Sequence, residues 1–366
     1  MQALILGPHP GHSNYSITNY FDFCRSNMPL ALKNWSIRSM SPGRTTPLNI
    51  TRYRSWWENY VEWPFVLGSR RAELFHMVDQ GLAWYAGVLP RAKYLATIND
   101  LIAYLTCRGK FLLPQPPWRR KPLILECVRE IRRMDHLISA SQFTADCLVR
   151  ELDIPASRIT VVHHHVDDRF APMHAVERTR ARERWFGAAE QVIIHVGSAA
   201  AYKNRIGALK AFVLLHAGLP DARMCLVHAP PTDEETRFLQ RSGCSDYVRF
   251  LPPISRTELR EFYGAADVLI FPSLYEGFGW PPLEAMACGC PVVCTNRASL
   301  KEVVGDAAIT VEDPHDHVAL AASLHAVLTE PHLQSDLRTR GLAHARSFAP
   351  SVCRARIAEI YRHLIG

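Results

Sequence analysis

Glu276-Gly277-Phe278-Gly279-Trp280-Pro281-Pro282-Leu283-Glu284 lies just downstream of the apolar run Val268–Phe271 and leads into a short helical segment, Pro282–Ala287. An apolar run, then glycines, then prolines reads as strand, turn and helix. Proline fits the first turn of a helix because its missing N–H has no intrahelical partner there. The amides of Gly277, Phe278 and Gly279 join the helix N-terminus to make a site for an anion such as a diphosphate. Glu276 and Glu284 bracket that site, one on the turn and one inside the helix, and each can accept hydrogen bonds from hydroxyls. Such a place suits a diphosphate flanked by two polyols, which describes a nucleotide sugar. Taken singly, either glutamate is explained equally well by burial or helix capping.

Outward from this stretch the pattern repeats. Apolar runs at Val192–Val196, Met224–Val227, Val248–Leu251, Val268–Phe271 and Pro291–Cys294 alternate with helical segments, among them one at Thr257–Tyr263. On the segment after Gly197, Ile206, Leu209 and Val213 share a face at the i, i+3, i+7 spacing. Strands without polar alternation, separated by helices, indicate βαβ units and a parallel sheet covered on both faces. The first half is less regular but has the same parts: runs at Ala3–Leu6, Leu95–Ile98, His136–Ser139 and Ile159–Val162, each followed by a helical segment. A boundary is expected between Asp167 and Gln191, where Pro172 and a charge-dense segment interrupt the apolar pattern. At 366 residues the chain is comfortable as two domains.

The second strand-to-helix turn of interest is Gly197-Ser198-Ala199-Ala200-Ala201-Tyr202-Lys203-Asn204-Arg205. Gly197 lets the chain turn and approach a ligand closely. Asn204 reads as an N-cap, which holds Lys203 beside the helix entrance. There its ammonium can neutralise charge growing on a departing nucleoside diphosphate, a task that otherwise falls to a metal ion. Simple solvation is the competing explanation for such a lysine.

The net charge of +7 is uneven: residues 1–180 carry 23 Lys and Arg against 15 Asp and Glu, residues 181–366 only 19 against 20. A basic first half suggests an anionic partner, such as a membrane surface, a lipid-phosphate acceptor or nucleic acid, and a compositional drift on a solvated surface explains it equally well. Much of that charge sits in the loop from Pro114 to Lys121, with Trp118-Arg119-Arg120-Lys121. The ten cysteines form no CxxC pair, so they read as reduced core residues of a cytoplasmic protein. Met1–Gly7 reads as a first strand, not a signal peptide. His163-His164-His165 invites a metal reading, yet on an extended segment only His163 and His165 face the same way. No metal site is expected.

Phe271-Pro272-Ser273 through Val293, with seven residues between Glu276 and Glu284, resembles the signature of the family 4 retaining glycosyltransferases. Glu302-Val303-Val304-Gly305-Asp306-Ala307-Ala308 resembles a further block of that family, and Val196-Gly197 to Lys203-Asn204 its phosphate loop. Looser echoes occur at His76-Met77-Val78-Asp79, Ile98-Asn99-Asp100-Leu101, Ser141 to Asp146, and Val166-Asp167 before Phe170. The similarity is specific over about residues 190–310. The resemblance implies an α/β chain of GT-B class, two facing Rossmann-like domains with a cleft between them. On that pattern residues 1–170 bind the acceptor, residues 171–349 bind the nucleotide sugar, and the last helix, within 350–366, returns to the first domain. It also implies that Lys203 and the amides of Gly277, Phe278 and Gly279 hold the diphosphate, with Gly197 beside them. Glu276 then takes the donor hexose and Glu284 the ribose. Three positions depart from the family: Ser198 stands where Arg is frequent, with Arg205 as its candidate substitute; Asn99 stands where His is common; and the His triplet replaces Pro-Asn-Gly.

The expected activity is metal-independent transfer of a mannose- or glucose-type hexose, with retained configuration, from a GDP- or UDP-linked donor to a glycan or lipid-linked acceptor. Surface polysaccharide or lipopolysaccharide assembly is the implied setting, at the inner face of the cell membrane. No cofactor and no nucleic-acid partner is expected. Gly11 and His12, on the loop after the first strand, and Asn99 are candidates for touching acceptor or sugar. Base recognition is expected near His228–Ser255. A nucleotide-sugar epimerase of the same architecture would need acid and base carboxylates in the first half. A dinucleotide oxidoreductase would need GxGxxG after a strand, which the sequence lacks. A non-catalytic nucleotide-sugar binding protein remains the third alternative.

Overall fold

A computed structural model describes residues 3–8, 15–27, 32–37, 71–111, 116, 118–187, 189 and 191–365. The first strands and helices are β1 (Ala3–Pro8), α1 (Tyr15–Asn27), β2 (Leu32–Ile37), β3 (Leu74–Met77), β4 (Lys93–Ile98), α2 (Ile102–Cys107), α3 (Lys121–Ile131), β5 (His136–Ser139), α4 (Gln142–Leu152) and β6 (Ile159–Val161). There follow α5 (Ala175–Phe186), β7 (Gln191–Val196), α6 (Arg205–His216), β8 (Ala222–Val227), α7 (Asp233–Ser242), β9 (Val248–Leu251), α8 (Arg256–Ala265) and β10 (Val268–Phe271). The chain ends with α9 (Trp280–Ala287), β11 (Val292–Thr295), α10 (Leu300–Val304), β12 (Ile309–Val311), α11 (His317–Thr329), α12 (Pro331–Ala345) and α13 (Pro350–Ile365).

Contacts divide the chain into two units, residues 1–164 with 351–366 and residues 165–350. The division falls before the expected boundary at residues 170/171. Its reason is local: Asp167 pairs with Arg256 and Phe170 packs edge-on against Tyr263, so the charge-dense segment is already part of the second unit.

The first unit is a parallel sheet of order β2-β1-β3-β4-β5-β6. Its core joins Ala3, Ile5, Phe21, Leu74, Leu95 and Ile138 to Cys353, Ile357 and Tyr361 of α13. His76 ties that helix to the sheet. Its Nδ1 lies 2.6 Å from the Tyr361 hydroxyl and its Nε2 2.8 Å from Thr97 Oγ1. Burial pushes its pKa down to about 3, so it is a neutral structural imidazole.

The second unit is also wholly parallel, of order β12-β11-β10-β7-β8-β9. Ile193, Met224, Val268, Ile270 and Val293 supply the centre, and Leu209, Phe212, Leu320 and Leu324 pack over it from α6 and α11. The helices are capped by sequence. Thr232 with Glu235 and Ser255 with Glu258 form capping boxes on α7 and α8, satisfying amides that the first turn leaves open. Nine of the ten cysteines are buried, and none forms a disulfide. Among the described residues, no helix is long and apolar enough to cross a membrane.

Candidate active site

In the second unit the chain leaves β7 toward β8 and β9 on one side, and leaves β10 toward β11 and β12 on the other. Because β7 and β10 are paired neighbours, the turns after them open side by side at one edge of the sheet. That switch point is where open α/β sheets bind ligands. Here it brings residues 197–204 against residues 272–279. The backbones are stitched: the Leu274 amide donates to the Tyr202 carbonyl at 2.7 Å. The Asn204 side chain donates to the carbonyls of Pro272 (3.1 Å) and Pro314 (2.9 Å), and its oxygen accepts from the Gly207 amide. Asn204 thus caps α6 from a left-handed conformation, φ 50°, that asparagine tolerates.

Lys203 projects from this joint onto Glu276. Its Nζ lies 2.7 and 3.0 Å from the two carboxylate oxygens, and both side chains are largely buried. The ammonium also stands over the rings of Tyr202 and Phe271, so aromatic faces shield it from water. A Cβ at Gly197 would lie 3.2 Å from His195 Nε2, a tight contact, and 3.6 Å from the Lys203 stem, an ordinary one. Ser198 is exposed and makes no side-chain link to Glu276 among the described contacts.

The turn after β10 is held from behind by Ser299, a residue the sequence did not single out. Its Oγ lies 2.9 Å from the Glu276 carbonyl and 2.7 Å from the Phe278 carbonyl. The intervening peptides are trans. In a trans peptide the N–H points opposite to the C=O, so the amides of Gly277 and Gly279 face away from Ser299. Gly279 holds φ 112° at the N-cap of α9, with Pro281 and Pro282 in the first turn. Phe278 is buried, its ring edge-on to Trp280 and Phe348.

Glu284 sits deeper, on α9. It accepts a hydrogen bond from the Tyr263 hydroxyl at 3.1 Å, and Arg256 Nη2 lies 3.8 Å from its other oxygen. Burial pushes its pKa up to about 7; Arg256 and the Tyr263 hydrogen bond oppose the rise, and Asp167 adds to it.

Arg205 does not fill the place left by Ser198. It is buried at 3% exposure, paired with Glu235 at 3.0 Å and lying over the Phe250 ring, with the carbonyls of Ala229 and Pro230 as further acceptors. A buried carboxylate needs a cation, and Glu235 is already fixed by the capping box of α7. The arginine is therefore a structural counter-ion. His228 is a further residue not singled out individually. It follows β8 with φ 101°, a strained conformation for a residue with a Cβ, and burial together with the charge of Lys203 lowers its pKa.

In the first unit the strand ends gather a second polar cluster. Asn99 Nδ2 donates to Asp79 at 3.0 Å, and Asn99 Oδ1 lies 2.8 Å from His164 Nε2. A carboxylate only accepts, so it fixes the amide orientation and requires His164 to donate through Nε2. His164 is buried and edge-on to Tyr20. It is thus the middle histidine of the triplet that turns into the unit. Among the described residues no three His, Cys, Asp or Glu side chains converge to hold a metal. Gly11 and His12 lie outside the described residues.

Sequence comparison gives the family. The profile described as Glycosyl transferases group 1 matches residues 178–344, and that of Glycosyltransferase Family 4 matches residues 23–170. The chain belongs to the family 4-like glycosyltransferases.

Among curated relatives, the O-antigen chain mannosyltransferase B of Escherichia coli is 30% identical over 231 residues, covering 62% of this chain and 60% of that protein. D-inositol 3-phosphate glycosyltransferase 2 of Catenulispora acidiphila is 32% identical over 248 residues, covering 63% and 56%. The chain therefore matches only about three fifths of the length of these relatives. Among solved structures, sucrose-phosphate synthase from Thermosynechococcus elongatus superposes with a TM-score of 0.75 at 17% identity, covering 100% of this chain and 99% of that one. WaaG, a glycosyltransferase involved in lipopolysaccharide biosynthesis, gives 0.73 at 15%, covering 98% and 99%. At such identity the likeness establishes the fold alone, the GT-B class of two Rossmann-like units.

Proposed function

We propose that this glycosyltransferase moves a mannose- or glucose-type hexose, with retained anomeric configuration, from a GDP- or UDP-linked donor to a glycan or lipid-linked acceptor. The observation that carries the proposal is the meeting of Lys203 and Glu276 at the β7/β10 switch point, on the turn that Ser299 holds by the Glu276 and Phe278 carbonyls. A diphosphate placed there meets backbone donors and one ammonium. Lys203 has three N–H donors, so one stays available for phosphate oxygen while Glu276 accepts from the hexose hydroxyls. As the bond from the sugar to the diphosphate breaks, negative charge grows on the leaving oxygen. A fixed ammonium in a site poor in water stabilises that charge strongly. This lets the reaction proceed without a metal ion. Glu284 takes the ribose, and the Asp79–Asn99–His164 cluster serves the acceptor side.

The relative named O-antigen chain mannosyltransferase B supports a setting in surface polysaccharide assembly. Alr3699/HepE of Anabaena, which shares the fold and was solved in complex with UDP and glucose, supports a nucleotide-linked donor. Trp118 is 74% exposed beside Arg119, Arg120 and Lys121, which supports peripheral contact with an anionic membrane at its cytoplasmic face.

Incubation with UDP-, GDP- and ADP-hexoses plus a lipid-linked glycan acceptor tests the proposal. Transfer with retained configuration, undiminished by EDTA, is the expected outcome. An epimerised sugar from donor alone would instead identify an epimerase.

A further inference from the structure

Glu284 is supported from one side by residues that neither motif contains. Tyr263 and Arg256 come from α8, and Asp167 comes from the segment by which the chain enters the second unit. Arg256 Nη1 donates to Asp167 Oδ2 at 2.7 Å, and the guanidinium lies over the Phe170 ring at 5.4 Å. Phe170 in turn packs edge-on against Tyr263. The arginine is therefore held from two sides, with its other terminal nitrogen 3.8 Å from Glu284 Oε1. That separation matters. At about 2.8 Å a charge-assisted hydrogen bond would consume the accepting capacity of Oε1; at 3.8 Å the cation supplies field while the oxygen can still accept from a ligand. Tyr263 has meanwhile fixed Oε2.

We infer that Arg256, clamped by Asp167 and Phe170, is a positioning residue that favours the ionised form of Glu284 and aims its Oε1 at the ribose hydroxyls of the nucleotide. The segment 165–170 thereby belongs to the nucleotide site. The inference rests on the proposed donor role of Glu284. The charged and titratable groups facing that carboxylate are Arg256 and Tyr263 from α8, Asp167 from the connecting segment, and Cys288 from its own helix. Of these only Arg256 favours the ionised form by its charge. Removing it shifts ionisation of Glu284 to higher pH.

Calorimetric titration of the full chain with UDP and GDP, and with their 2′,3′-dideoxy counterparts, provides the test across the range from about pH 5 to about pH 9. Arg256→Met should lose about tenfold in affinity for the ribonucleotide that binds the native protein and leave its dideoxy counterpart nearly unchanged. Its affinity should rise with pH along a curve displaced to higher pH, and Arg256→Lys should restore part of the loss. In a Glu284→Gln background the Arg256→Met change should have no further effect. Equal losses for ribo- and dideoxynucleotide, with an undisplaced pH curve, would overturn the inference and leave the donor site standing. Should Arg256→Met fail to fold, Arg256→Lys and Asp167→Asn give the same comparison. A native protein that binds neither UDP nor GDP would overturn the donor reading, and this inference with it.

Discussion

Lys203 Nζ lies within 3.0 Å of both carboxylate oxygens of Glu276, although 73 positions separate them in the chain. Two residues expected to hold different parts of one ligand thus hold each other. The pair sits in an environment where aromatic rings and backbone exclude water, so removal of either partner strands a charge.

Lys203→Ala and Glu276→Ala should each lower turnover by about 100-fold or more while the protein stays folded. Because they act as one unit, the double variant should lose far less than the product of the two. Steady-state rates read against circular dichroism spectra check both points. Native-like rates in both single variants would refute the assignment.

Arg205 and Glu235 form a second buried pair, separate from that of Lys203 and Glu276. Arg205→Met should destabilise the fold by about 3 kcal/mol, since it leaves Glu235 uncompensated. Arg205→Met combined with Glu235→Leu should recover much of the loss. Denaturant unfolding measures this. Donor KM should stay near native in the double variant.

Glu284 makes stability depend on pH with a definite sign. Its folded-state pKa is raised from 4.5 to about 7 by burial. A carboxyl whose pKa is raised on folding favours the folded state at low pH. That contribution is intact below about 4.5 and is lost as pH rises through about 7. Glu284→Gln stays neutral throughout. Relative to native protein its stability should therefore climb across that window, by roughly 3 kcal/mol. Thermal unfolding in the absence of nucleotide, followed at several pH values, should show the two curves diverging.

Ser299→Ala removes the hydroxyl that holds the Glu276 and Phe278 carbonyls. With the turn released, its amides lose their fixed direction. The expected result is a fall of about tenfold in kcat/KM with a stability loss near 1 kcal/mol. A catalytic loss no larger than the stability loss would show that the amides need no such support.

The second unit was largely legible because its strands are apolar runs with clear stops. Val248–Leu251 and Val268–Phe271 lie where the sequence predicts them, and the turns carry their own glycines and prolines. Two of the edge strands, β2 and β12, were not legible. β2, Leu32-Lys33-Asn34-Trp35-Ser36-Ile37, has neither a run nor an alternation, and β12 has only three residues. The stripe expected on α6 was incomplete: Ala208, Leu209, Phe212 and Leu215 are buried, while Ile206 and Val213 are only partly so. A helix apolar nearly all round gives no single face to its period.

At the site, the joining of residues 197–204 to residues 272–279 follows from strand order, which turn chemistry hinted at. The fate of Arg205 did not, because its partner stands 30 positions downstream on another helix. Arg256 carried no signal either; Asp167 is 89 positions upstream. His164 was overlooked because alternation along the triplet favoured its neighbours.

The central claim is that backbone donors and one lysine grip a diphosphate with no cation. Isothermal titration of UDP and GDP into protein treated with EDTA, native and Lys203→Ala, tests it most directly. The account predicts binding of one nucleotide to native protein that EDTA leaves intact and that Lys203→Ala weakens by at least about tenfold. Binding that vanishes with EDTA, or that is indifferent to Lys203, would contradict it.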